Sequence, residues 1–281
     1  MAHFACSFKY RASCSAGVAA WFLTATSWAT NYTPFIVPAG TTFTLNGGDS
    51  VTGTGSSTAI RVGGATLNFG PGNIAIGNVD LGVFATNGPA ANINFQTGTN
   101  VTITTVTPTG LGLQSTVNSQ AVFSLAPNSN VTIRGFQGVN LGHTPLGTSS
   151  QLNIGSGATL KIEAAPAGGN PWPKGVMTSN NAAISIAAGG VLDVQTTGGQ
   201  YARGIELGYS LTYPASVERK LTSAPGATLR VSTTGQTADG LYMLGVGESV
   251  LEGTTDIHTT GSDSSGIFLR RYVSPTNHLV V

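Results

Sequence analysis

The chain has 281 residues, of which 40% are hydrophobic, 8% charged and 39 glycine, and its formal net charge is +1. An ordinary soluble domain is about 25% charged, so the polar surface here must come from Ser, Thr, Asn and Gln, while the apolar content excludes a disordered polar tract. The balanced charge leaves no basic face for nucleic acid or anionic lipid, and the abundance of β-branched residues, Gly and Asn is that of an extracellular, β-rich structure with many tight turns.

Residues 1–29 read as a secretory signal peptide. Lys9 and Arg11 supply a positive start, Ala16 to Ala25 is a short apolar run, and Ser27-Trp28-Ala29 places small residues at the two positions a signal peptidase inspects. A buried first strand or an internal start codon are the competing readings. No other stretch approaches the roughly 18 apolar residues of a membrane helix. Both cysteines, Cys6 and Cys14, lie in this segment, so the mature chain is expected to have neither disulfides nor Cys-ligated metal. Cys14 precedes the apolar run and does not suit lipidation. Cleavage leaves ten basic and eleven acidic residues, a charge of −1.

From Phe43 onward one signature returns eight times, at intervals of 23 to 37 residues. It is a short strand of period two, a Gly-containing turn and a second short strand. Clear copies are Ala91-Asn92-Ile93-Asn94-Phe95-Gln96-Thr97-Gly98-Thr99-Asn100-Val101-Thr102-Ile103 and Gln151-Leu152-Asn153-Ile154-Gly155-Ser156-Gly157-Ala158-Thr159-Leu160-Lys161-Ile162. First strands begin at Phe43, Leu67, Ile93, Phe123, Leu152, Ile184 and Leu221, and the last coil has only a poor copy at Ser249-Val250-Leu251-Glu252. Second strands are marked by Val51, Ile74, Val101, Val131, Leu160, Leu192, Leu229 and Ile257. Third strands, usually opened by Gly, are marked by Ile60, Val79, Leu111, Val139, Val176, Ile205, Leu241 and Ile267.

A repeat of this kind is one turn of a solenoid, because no single turn can bury its own apolar face. Three strands per turn predict an all-β fold, a three-sheet prism of about eight coils. At about 4.8 Å per coil, its first and last coils lie about 34 Å apart. The irregular coil length argues against a left-handed hexapeptide helix, and the calcium-binding nonapeptide pattern is absent. A right-handed parallel β-helix is what remains. On the first strand the outward column Thr44, Asn68, Asn94, Ser124, Asn153, Ser185, Thr222 is polar. On the second it reads Thr52, Ala75, Thr102, Thr132, Lys161, Asp193, Arg230, His258. Its charged part is either a binding stripe or, the favoured reading, a register-supporting ion ladder.

The cleavable signal, the cysteine-free Gly/Ser/Thr/Asn-rich chain, and coils such as Gly157-Ala158-Thr159-Leu160-Lys161-Ile162 and Gly226-Ala227-Thr228-Leu229-Arg230-Val231 resemble the pertactin-like passenger domain of Gram-negative autotransporters. The resemblance covers about residues 40–272. It implies export through the periplasm, display on or release from the outer membrane, and adhesion or a virulence-type contact with a host cell surface or matrix component. It also implies an outer-membrane translocator barrel, and the alternating strands and terminal aromatic of a barrel are not found in this chain. The expected product is a truncated passenger: signal 1–29, β-helix 30–272 and a C-terminal tail 273–281, acting as a monomer.

The alternative is a β-helix polysaccharide lyase or hydrolase, which needs clustered carboxylates. Asp80 and Glu206 are both outward on third strands, but four coils, about 19 Å, apart. The best acidic cluster, Asp239, Glu248, Glu252, Asp256, His258 and Asp263, reads as a polar terminal coil that blunts a sheet edge. Ser262 to Ser265 and the histidines His143 and His258 show no triad spacing. The glycosylation-like triplets at Asn31, Asn100 and Asn130 follow from Asn/Thr richness, and no Arg-Gly-Asp occurs. No catalytic residue, cofactor or metal is therefore expected. Recognition is expected on two loops, 167–174 with Trp172 and 208–220 with Tyr209, Tyr213 and Arg219, since aromatics exposed on loops are contact residues when they do not fold back onto the prism.

Overall fold

The computed structural model describes residues 29–86, 88–116, 119–142, 149–179, 181–208, 219–244, 248–270 and 278–280. The signal-peptide segment, apart from Ala29, lies outside them, as do both cysteines. Twenty-seven strands form three sheets of nine, with no helix among the described residues. Sheet A takes the second strand of every coil, from Asn31–Tyr32 to Thr254–Thr260. Sheet B takes the third, from Phe35–Val37 to Ile267–Arg270, and sheet C the first, from Thr42–Leu45 to His278–Val280. Neighbouring strands in all three sheets are parallel and come from successive coils, which makes a β-solenoid. Eight full turns run from Thr42–Leu45 to Ile267–Arg270, with two strands before them and one after.

That last strand corrects the expected boundary at 272. His278–Val280 pairs with Glu248–Leu251, Ser249 opposite Leu279, so part of the supposed tail belongs to sheet C. The poor copy at Ser249 is a real strand in which a fully buried serine stands where Leu221 stands one coil earlier.

The first-strand register is as expected. Phe43, Leu67, Ile93, Phe123, Leu152, Ile184 and Leu221 form one continuous inward column. Phe69 and Phe95 in the next column stack 4.7 Å apart. Outside, Asn94 Nδ2 donates to Asn68 Oδ1 at 3.0 Å and Ser185 Oγ to Asn153 Oδ1 at 2.8 Å, so the polar column is a hydrogen-bonded ladder. On sheet A, Asn130 and Asn100 form a similar rung at 3.0 Å.

Four markers shift by two or more residues. Val51 aligns with Ile76, not Ile74, and Ile257 with Val231, not Leu229. On sheet B, Val83 replaces Val79 and Leu113 replaces Leu111 as partners of Ile60 and Val139. A two-residue slip keeps the in/out parity of a strand, so hydrophobic pattern alone does not detect it. The charged column on sheet A consequently reads Lys161, Asp193, Arg230, Asp256, while His258 lies opposite Ser232.

The corner between sheets A and B is built on glycine. Gly82, Gly112, Gly138, Gly175, Gly204 and Gly240 occupy the same position in six successive coils. A Cβ on Gly138 would stand 2.3 Å from Ile162 Cγ2 and 2.5 Å from Gly175 O, and on Gly175 2.0 Å from Val194 Cγ1. The sheet A side chains fill the space a Cβ would take. Gly138→Ala is therefore expected to destabilise by about 1–3 kcal/mol through overpacking. Gly77→Ala, with nothing within 4 Å of the new methyl, should change little. Equal thermal midpoints for the two variants would show that this corner is loose.

Candidate functional site

The loop preceding the strand Lys174–Thr178 is held against its neighbours. Ala167 and Asn170 form a bridge, Asn170 Nδ2 donates to Pro108 O at 3.3 Å, and the Trp172 N–H donates to Asn170 Oδ1 at 3.3 Å. Gly199 passes so close that a Cβ there would lie 2.0 Å from Pro171 O. The indole of Trp172 is left 52% exposed and meets Tyr201, 44% exposed, edge to face at 6.5 Å. Trp172 thus stands where the sequence places it. Tyr201, from the same corner one coil later, was not legible as its partner, because the two are 29 residues apart in loops of unequal length.

The second loop behaves differently. Tyr209 and Tyr213 lie outside the described residues. Arg219 is only 4% exposed, which removes it from the expected contact surface. Its Nη1 donates to Leu244 O at 2.9 Å and its Nε to Ser179 O, joining the coils on either side. Burial draws its pKa down. An arginine at the start of a loop-flanking strand reads as exposed in sequence, and only the third dimension supplies the two carbonyls that let it be buried.

The densest constellation of charge lies on the outer face of sheet B. Glu206 is 2% exposed, and its two carboxylate oxygens bind Lys174 Nζ and Arg203 Nη1, the latter at 2.5 Å. Arg203 also lies 3.5 Å over the ring of Tyr242, which stacks in parallel on Phe268 at 5.2 Å. Asp239 Oδ2 stands 3.9 Å from Arg203 Nε, and its Oδ1 accepts the Ser265 N–H at 3.0 Å. Burial raises the Asp239 pKa; the Ser265 hydrogen bond and Arg203 oppose that rise, and Glu206 adds to it. Two acids of adjacent coils therefore share one arginine, a grouping absent from the expected terminal cluster.

That terminal cluster does not assemble. Asp239 lies just before the sheet B strand Leu241–Leu244, Glu248 reaches Lys220 at 3.6 Å on sheet C, and Asp256 and His258 point outward from sheet A. Among the described residues no group of three or more His, Cys, Asp or Glu could hold a metal ion. Asp80, in the bend before the strand Leu81–Ala85, accepts from Thr109 Oγ1 at 3.1 Å and from Thr107 Oγ1, two hydroxyls of the corresponding turn one coil later. Nor does the sheet A ladder close into the expected ion pairs. Lys161 Nζ turns along its own strand to Glu163 at 2.6 Å, where Arg134 also binds at 2.6 Å. Those two cations, Lys161 foremost, hold the Glu163 carboxyl below its ordinary range.

Comparison of the chain with protein families, curated proteins and solved structures finds no match.

Proposed function

We propose that this solenoid is a non-catalytic surface module, an autotransporter-type passenger that is exported and presents its A–B corner to a host cell surface or matrix component. The observation that supports this reading is the Trp172–Tyr201 pair. Two aromatic side chains are half exposed on loops fixed by hydrogen bonds to neighbouring coils. Placing them there costs contact with the core, and rigid exposed aromatics give large contact area at little entropic cost on binding.

A polysaccharide lyase or hydrolase is the reading it competes with, and Glu206 with Asp239 is the observation in that alternative's favour. The sealed position of Glu206 between two cations supports a structural role for the pair, because a general acid or base must reach its substrate.

Trp172→Ala is expected to reduce binding to cultured cells or matrix-coated surfaces about tenfold, the scale of a loss of about 1.4 kcal/mol, with an unchanged melting temperature. Turnover of acidic or neutral polysaccharides, lost in Glu206→Gln or in Asp256→Asn, would replace this reading by the enzyme.

A further inference from the structure

Three successive turns at the A–B corner share one backbone conformation. Tyr201, Thr237 and Asp263 stand three residues before Gly204, Gly240 and Gly266 and have φ of 52°, 55° and 58°. This left-handed region suits Gly, Asn or Asp and strains a bulky side chain. Asp263 meets the requirement. Tyr201 does not, and its ring stays 44% exposed, so burial does not offset the strain. Around that ring the chain carries only neutral groups: no charged residue occurs in 164–173, 196–202 or 233–238. Lys174, Arg203 and Asp239, which border these turns, meet Glu206 or one another. Gln200 and Gln236 form a parallel bridge between adjacent coils, and the Tyr201 N–H donates to Gln236 O at 3.0 Å. Both glutamine side chains are exposed, and among the described residues nothing hydrogen-bonds to their amides. Every turn from sheet A to sheet B lies within the described residues.

Building on the reading of this corner as the contact surface, we propose that it is a glycan site whose ligand is a neutral oligosaccharide laid along the rod axis. Trp172, then Gln200 with Tyr201, then Gln236 come from three adjacent coils, so the site spans about 10 Å at the spacing of neighbouring strands. That length fits a short oligosaccharide better than a single sugar. The C–H face of a pyranose ring is apolar and packs on an aromatic ring. Trp172 and Tyr201, half exposed and inclined at 76° to one another, offer rings in two orientations. An amide both donates and accepts, as a sugar hydroxyl does, so Gln200 and Gln236 suit a ligand that is polar without charge. A sialylated or sulfated glycan, or a charged peptide, would instead call for a counter-charge, and these turns hold none. The strain at Tyr201 then has a use: a ring held outward, beside the free amides, where the turn itself would favour a smaller residue.

Binding to immobilised oligosaccharides of neutral hexoses and N-acetylhexosamines, with sialylated and sulfated forms alongside, tests it. Neutral members should bind, and equally in low and high salt. Tyr201→Asn should lower that binding about tenfold while the melting temperature holds or rises, because Asn tolerates the left-handed φ. Gln200→Ala combined with Gln236→Ala should also lower it about tenfold, at an unchanged melting temperature. The proposal fails if no neutral oligosaccharide binds, if only the sialylated or sulfated forms bind, or if these substitutions leave binding unchanged. Adhesion to cells or matrix separates it from the reading it rests on. Periodate oxidation of the surface glycans should abolish adhesion. Adhesion that is lost in Trp172→Ala, yet survives periodate and is removed by protease, would identify a protein partner and leave the surface module standing. Oligosaccharide binding without adhesion would overturn the host contact and keep the glycan site.

Discussion

Leu160→Asp is expected to open the middle of the rod, and Asn153→Asp to leave it intact. The two residues are seven positions apart in one coil, and what separates them is the face they occupy. Leu160 is fully buried on sheet A between Val131 and Leu192. Its replacement removes a leucine worth about 2–5 kcal/mol by truncation. It also places a carboxylate among aliphatic groups that offer no partner, at several kcal/mol more. Together these approach the roughly 5–15 kcal/mol that holds a domain folded. Asn153 faces outward on sheet C and accepts from Ser185 Oγ at 2.8 Å. Asp keeps that acceptor, so the change stays within about 0.5 kcal/mol. Urea titration followed by tryptophan fluorescence and circular dichroism reads both. Because coils contact only their neighbours, hydrogen exchange in the Leu160 variant should rise first in strands 130–135 and 191–196. Similar midpoints for the two variants would mean that the assignment of faces is wrong.

The repeat made the three-sheet solenoid legible without any structure, because burial imposes a period of two within strands and a fixed order between them. Sheet C came through best. Its strands are short and lead into turns of nearly constant length before sheet A, so Phe43 to Leu221 could be aligned by counting back from the second-strand markers. Sheets A and B lost register where the chain bulges, as at Ile103 to Thr105 against Ile76 to Val79. There the count changes while the hydrophobic pattern survives. The acidic pair on sheet B was hidden for a similar reason. Asp239 was grouped with acids close to it in sequence, whereas its neighbours in space are fixed by the glycine column. Aligned on that glycine, Lys174-Gly175-Val176-Met177, Arg203-Gly204-Ile205-Glu206 and Asp239-Gly240-Leu241-Tyr242 superpose. Lys174, Arg203 and Asp239 then fall in one column, and Met177, Glu206 and Tyr242 in the next. That signal was present in the sequence; it needed the steric role of Gly175 and Gly204 to be recognised before the charges could be placed. The burial of Arg219 had no such signal, since its acceptors are backbone carbonyls that every residue carries.

Glu206→Ala is expected to be among the most damaging single changes outside the core, costing about 3–5 kcal/mol, whereas Arg134→Ala should cost less than about 1 kcal/mol. Both remove one member of a carboxylate bound by two cations, and the bonds are of similar length: Arg203 to Glu206 at 2.5 Å, Arg134 to Glu163 at 2.6 Å. Distance therefore does not distinguish them. Solvent does. The Arg134 and Glu163 side chains are 56% and 30% exposed, so water replaces the lost partner at little cost. At the other site Lys174, Arg203 and Glu206 are 11%, 16% and 2% exposed. Without Glu206, Lys174 loses its carboxylate partner, and Arg203 keeps the Tyr242 face and an Asp239 carboxylate 3.9 Å away. Glu206→Gln preserves the shape and one acceptor and should fall between the two. Denaturant midpoints at pH 7 in low and high salt give the comparison. The Arg134 effect should shrink as salt rises and the Glu206 effect persist, because buried pairs are screened little. Equal, salt-sensitive losses at both sites would mean that water reaches the sheet B network, and would return Glu206 to consideration as a solvent-accessible acid.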